Sequence, residues 1–105
     1  MQRVLKQEPK YADSAVMNLN NIKAMLQSAR EGLITVVFDK INDGGRRVME
    51  CTLNSELSNH NVPEILEQRS DNEHIVVWCT DKNAWRSFRV DTLVEWWIGD
   101  KNKKI

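Results

Sequence analysis

The chain is 105 residues long with 15 Lys and Arg against 15 Asp and Glu, a length that holds one hydrophobic core rather than two. Its formal net charge of zero argues against strong, indiscriminate attraction to nucleic acid while leaving room for a basic face. No apolar run approaches the roughly 18 residues of a membrane span, and the N-terminus lacks a signal-like apolar segment, so no membrane partner and a cytoplasmic location are expected. Charge is nonetheless uneven: between Glu50 and Glu73 stand Glu56, Glu64, Glu67 and Asp71, with Arg69 as the single base. The remainder is correspondingly basic, unless the acidic segment folds across it.

Residues 1–11 show no periodicity and read as a loose arm. Asp13 is placed as the N-cap of a helix over 13–31. Val16, Leu19, Ile22, Leu26 and Ala29 recur at steps of three and four, the spacing of one helical face, which makes the helix amphipathic. Gly32 is placed as its left-handed C′ residue. From there the period changes to two. "LITVVFDK" (33–40) is β-branched and aromatic, Asp43-Gly44 signals a tight hairpin, and "RRVMECTL" (46–53) returns with Met49, Cys51 and Leu53 on one face. Residues 54–73 form a long connection, which Pro63 is expected to pin with a short turn carrying Ile65 and Leu66.

"HIVVWCT" (74–80), a turn at 81–83 and "AWRSFRV" (84–90) make a second hairpin. "DTL" reads as one helical turn capped by Asp91, "VEWWIG" (94–99) as a last strand, and 100–105 as a basic, frayed tail. The expectation is one domain over 1–105, comprising the arm, the helix, a barrel over 33–98 and a tail over 99–105. Its class is mostly β: an N-terminal amphipathic helix followed by a five-stranded SH3-like or Sm-like barrel, with an open sheet plus helix as the competing arrangement.

"REGLITVVFDK", a glycine turn, "RRVMECTLN" and then "VVWCTDKNAWRSFRVD" resemble, in that order, a family of small bacteriophage proteins with an Sm-like SH3 β-barrel fold related to the WYL domain. The resemblance covers Arg30 to about Trp96. It implies the barrel and a phage origin, and hence the host cytoplasm, but no defined reaction. Related WYL domains resemble ligand-sensing or nucleic-acid-binding modules of regulators, which is an analogy of fold.

Catalytic chemistry is not apparent. His60 and His74 are not at metal-ligand spacing from a cysteine or from each other. Cys51 and Cys79 lie in apolar strand patterns and read as buried thiols rather than a disulfide framework or nucleophiles. Asp43-Gly44-Gly45 lacks the lysine and helix of a phosphate loop. Neither cofactor nor metal is expected, and the chain reads as a non-enzymatic, accessory binding module.

Candidate contact residues cluster in "NAWRSFRVDTLVEWWIGD". If residues 81–83 and a neighbour form the turn, Cys79 opposes Arg86, Val77 opposes Phe88 and Ile75 opposes Val90, with that face inside the barrel and Arg86 leaving it at the rim. The other face then carries Val76, Trp78 and Thr80 beside Trp85, Ser87 and Arg89. In the last strand Val94, Trp96 and Ile98 are expected inside and Trp97 outside. Two arrangements fit the outer face. Either the N-terminal helix covers Trp78 and Trp85, or Trp85 and Arg89 stay exposed and form a contact surface with Trp78 and Arg86, extended by Lys40, Arg46 and Arg47. Exposed Trp and Arg suit a stacking platform for single-stranded nucleic acid, the first-choice partner, and equally a protein interface, which makes a host protein the alternative.

Overall fold

The computed structural model describes residues 19–40, 44–64 and 66–103. One helix, α1 (Leu19–Glu31), precedes five strands: β1 (Leu33–Asp39), β2 (Arg46–Thr52), β3 (His74–Cys79), β4 (Ala84–Arg89) and β5 (Leu93–Ile98). They form one antiparallel sheet in the order β4-β3-β2-β1-β5. The sheet curls on itself, because Phe38 of β1 and Phe88 of β4, from non-adjacent strands, stack with ring centroids 5.5 Å apart. This is the expected helix followed by a five-stranded, SH3-like arrangement.

β1, flanked by β2 and β5, is buried at Ile34, Thr35, Val36 and Val37 in succession, as a β-branched strand covered on both faces should be. It pairs with β2 from Leu33↔Thr52 to Asp39↔Arg46 and with β5 on its other side. The first hairpin closes through a Lys40 N–H to Gly45 carbonyl bond of 2.7 Å and a Gly44 N–H to Lys40 carbonyl bond of 3.1 Å. Gly44 takes the positive φ of 71°, whereas residues 41–43, Asp43 among them, lie outside the described residues.

The helix packs on β1, β2 and β5 through Ile22, Met25, Leu26 and Ala29. Leu19, expected on that face, is 56% exposed; the stripe that meets the sheet begins one turn later and recruits Met25. The expected cap Asp13 and Val16 fall outside the described residues. Gly32 is not left-handed. Its N–H donates to the Ser28 carbonyl (3.0 Å), continuing the helical pattern, and the chain runs straight into β1. The end of β2 then satisfies the helix's terminal carbonyls. Leu53 N–H donates to Ala29 O (2.9 Å), and Asn54 Nδ2 to Arg30 O (3.1 Å). The buried Thr52 hydroxyl lies 2.8 Å from Gly32 O and 3.1 Å from Ala29 O. Carbonyls that a C′ glycine motif serves in many helices are here served by a distant strand.

The long connection is tied to its own backbone. Asn54 Oδ1 accepts from the N–H groups of Glu56 and Leu57, both at 3.0 Å, and the Ser58 hydroxyl accepts from Val62 N–H at 3.0 Å. Val62 is buried as its apolar anchor, and Leu66 N–H bonds to Pro63 O (3.1 Å), while Ile65 lies outside the described residues. Further on, the Gln68 side-chain amide accepts from Val76 N–H (2.7 Å) and donates to Val76 O. It stands in for a neighbouring strand where β3 has left β2, since those strands pair only at Cys51↔Cys79 and Thr52↔Trp78.

The 3-10 turn Val90–Thr92 joins β4 to β5. Asp91 lies within it and does not cap it. Ile98, expected inside, is 67% exposed at the end of β5, and Leu93 takes the buried role instead after a register shift at Val37/Phe38. The tail is not frayed over its described part. Gly99 (φ 106°) reverses the chain, Lys101–Lys103 form a 3-10 turn, Lys101 N–H bonds to Glu50 Oε2 (3.0 Å), and Lys101 Nζ lies 3.2 Å from Asp81.

Candidate functional site

The second hairpin carries four of the candidate contact residues, Trp78, Trp85, Arg86 and Arg89, and its register differs from the expected one. Cys79 pairs with Ala84, Val77 with Arg86 and Ile75 with Phe88, two residues away from the expected partners. The cause is Thr80. Its N–H and hydroxyl both turn to Glu50 O of β2 (3.1 and 3.4 Å), so it joins the turn over 80–83 instead of pairing. Asn83 supplies the left-handed φ of 55°. A shift of two preserves the side-chain faces. Phe88 is therefore buried among Ile75 and Val77, and Trp85, Ser87 and Arg89 share the opposite face with His74, Val76 and Trp78.

The seven candidate residues do not form one exposed patch. Trp85 is 40% exposed, but Trp78 beneath it is only 7% exposed and belongs to the core; their rings meet edge-on at 5.6 Å, 89° apart. Trp78 is thus support for Trp85 rather than part of a contact surface. Helix α1 packs on β1, β2 and β5. Arg86 is exposed on the other face and folds back, its Nη1 donating to Trp85 O at 2.9 Å. Arg89 is held by both oxygens of Asp91 (3.0 and 2.7 Å). Arg46 is held by Asp39, with Nε to Oδ1 at 2.9 Å. Arg47 is exposed with no carboxylate partner among the described residues. Lys40 is half-buried, and a cleft of about 360 Å³ brings it to Arg89, with Phe38, Asp39, His74, Ser87, Phe88 and Thr92 completing the walls.

Comparison with known families matches residues 22–94 to the model described as WYL_2, Sm-like SH3 beta-barrel fold. The chain belongs to the WYL_2 family. None of the curated proteins and none of the solved structures compared with it matches.

In this WYL_2 barrel, the pairing of Arg89 with Asp91 holds the carboxyl below the usual carboxylate range and raises the guanidinium, chiefly through the side-chain hydrogen bond; Arg69 and Asp71 repeat the pattern in the long connection. In both pairs the acid follows the arginine by two residues across a turn, Arg89 to Asp91 and Arg69 to Asp71, a spacing obscured at Arg89 by assigning Asp91 to a helix cap. Cys51 and Cys79, with no near partner in sequence, face each other across β2 and β3 as free thiols. Both are buried, and burial pushes the Cys51 thiol far above its ordinary range. Among the described residues no group of three or more His, Cys, Asp or Glu is placed to hold a metal ion, and no helix is long and apolar enough to cross a membrane. The WYL_2 fold is that of a small binding module, and its exposed aromatic, Trp85, is the most distinctive side chain on the hairpin surface.

Proposed function

We propose that this chain is a non-catalytic binding module that docks a protein through the β3–β4 face centred on Trp85. The observation that carries the reading is the contrast between Trp85 and its neighbouring arginine. Trp85 stands 40% exposed on a buried Trp78, a rigid aromatic on a firm base, as interface anchors are. Arg89 beside it is already matched by Asp91, as Arg46 at the first hairpin is by Asp39. A phosphate backbone has to displace those carboxylates, whereas a protein partner can pack on Trp85 and leave them in place. This reverses the order of partners expected from the cluster of tryptophans and arginines in the sequence. The resemblance to small bacteriophage proteins supplies the setting, an accessory role in the host cytoplasm with a host regulator or transcription component as partner.

Nucleic acid is the second reading, favoured by Arg47 and Arg86, which are exposed and have no carboxylate partner among the described residues. Salt separates the two. Phosphate contacts release counterions, so binding falls steeply between about 50 and 200 mM salt. Tagged protein recovered from infected cells is expected to retain its partner through nuclease and the higher salt, and to lose it on Trp85→Ala with the fold unchanged. Loss on nuclease or salt alone, with Trp85→Ala without effect and Arg47→Glu abolishing binding, replaces the protein reading with the nucleic-acid one.

A further inference from the structure

β4 ends the sheet, with β3 its one strand neighbour. Which of its main-chain groups are spare follows from the ladder. Val90 N–H donates to Glu73 O (2.9 Å), and bonded and non-bonded pairs alternate along antiparallel strands. Phe88 and Arg86 therefore bond to β3, while the N–H and C=O groups of Trp85, Ser87 and Arg89 point away from it. Val76, opposite Ser87, confirms the phase by turning its own groups to Gln68, on the side away from β4. The fold thus blunts the exposed edge of β3 with a glutamine and leaves that of β4 open. Among the described residues nothing bonds to the Ser87 N–H or C=O, and the carbonyls of Trp85 and Arg89, touched by Arg86 and Thr92, each keep a second lone pair.

We propose that two copies of this chain pair β4 against β4, antiparallel, about a two-fold axis at Ser87. The sequence Trp85-Arg86-Ser87-Phe88-Arg89 is complementary to its own reverse. Centring the pair on Ser87 sets Trp85 opposite the second copy's Arg89, an aromatic against a cation, and Arg86 opposite its buried Phe88, so no cation meets a cation. The main-chain phase agrees, because Trp85, Ser87 and Arg89 all present their spare groups to one another in that register. Neighbouring registers fail. A centre at Arg86 opposes that guanidinium to its own copy, and a centre at Phe88 sets Trp85 against Asp91, beyond the end of the strand. Arg89 needs no release from Asp91, since a guanidinium bonded along its edge still offers its flat face to an indole. The cleft beside Ser87 and Arg89, walled by Phe38, Lys40 and Thr92, leaves room along the edge. Such an isologous pair closes as a dimer and does not propagate. It joins the two Trp85 faces into one platform, and it stands whether or not a partner binds there.

Ser87 is exposed, so substitutions there test the pairing without entering the core. Sedimentation from micromolar to sub-millimolar concentration is expected to show a shift from monomer mass towards twice that mass. Ser87→Lys, which opposes like charges on the axis, abolishes the shift while leaving the melting temperature unchanged. Under mild oxidation Ser87→Cys is expected to form a covalent dimer, whereas Arg86→Cys, whose copy lies past the roughly 7 Å limit for Cα atoms in a disulfide, does not; the buried Cys51 and Cys79 stay silent. A mass that remains monomeric throughout, a dimer that persists in Ser87→Lys, or equal cross-linking of the two cysteine variants overturns the proposal.

Discussion

Strands β1 and β4 are similar in length and opposite in circumstance. β1 is paired along both edges and buried at four consecutive positions, Ile34 to Val37; β4 is paired along one edge and buries Phe88 alone. Around β1 gather the helix, the shared Thr52 hydroxyl and the returning tail, which bonds through Gly99 N–H to Leu33 O (2.8 Å) and through its carbonyl to the Thr35 hydroxyl (2.8 Å). Around β4 there is one supporting strand and a row of exposed side chains. The barrel is rigid where polar groups are satisfied internally, and its capacity to bind lies where they are left to the surroundings.

The comparison is broken most severely at the one point where β4 enters the core. Phe88→Ala removes a buried ring and its stack on Phe38, at an expected cost of about 3–5 kcal/mol, a large share of a small domain's stability. Denaturant melts measure it, and a loss no larger than that of Trp85→Ala would mean that Phe88 does not join β4 to β1. A smaller effect is expected on the β1 side. Thr52→Val keeps the shape but takes the hydroxyl from Gly32 O and from the Asn54 N–H that bonds to it, while Ala29 O keeps Leu53 N–H, costing about 1–3 kcal/mol for polar groups left short of a partner. Hydrogen exchange should show α1 opening before the strands.

The smallest effect sharpens the surface side. Asp91 is held below the ordinary Asp value of about 3.9 by Arg89. A depressed carboxyl contributes above its unfolded pKa and loses that contribution as pH falls through the lower, folded value. Carbon-detected titration is therefore expected to place Asp91 below the ordinary value, and Arg89→Gln to return it there. No movement in that variant would mean that the ion pair does not form in solution, and would restore Arg89 to the free cations of the face.

Much of this was legible in the chain. Alternation put Met49, Cys51 and Leu53 on one face, put Phe88 with Ile75 and Val77, and set Trp85 and Arg89 on one face; the step of three and four located the helix. Both hairpins were announced by their turn residues. Four features were not legible. Thr80 left the ladder for Glu50, moving the hairpin register by two. Thr52 replaced Gly32 as the device that ends the helix. Trp78 sank while Trp85, on the same face, did not. The tail, which reads as frayed, docked on Glu50 and Asp81.

The division has a physical cause. Side-chain period is a local property of backbone geometry, two for a strand and 3.6 for a helix, so sequence by itself determined which elements form, their order and which residues share a face. Partners are a different matter. Register along an antiparallel pair is degenerate in steps of two, because each such step returns the same face to the core, and only the pull of Glu50 O on Thr80 chose among them. The depth at which a tryptophan comes to rest likewise depends on how far the sheet has curled and on what lies across from it. Tertiary structure decided those points because each one joins groups far apart in the chain.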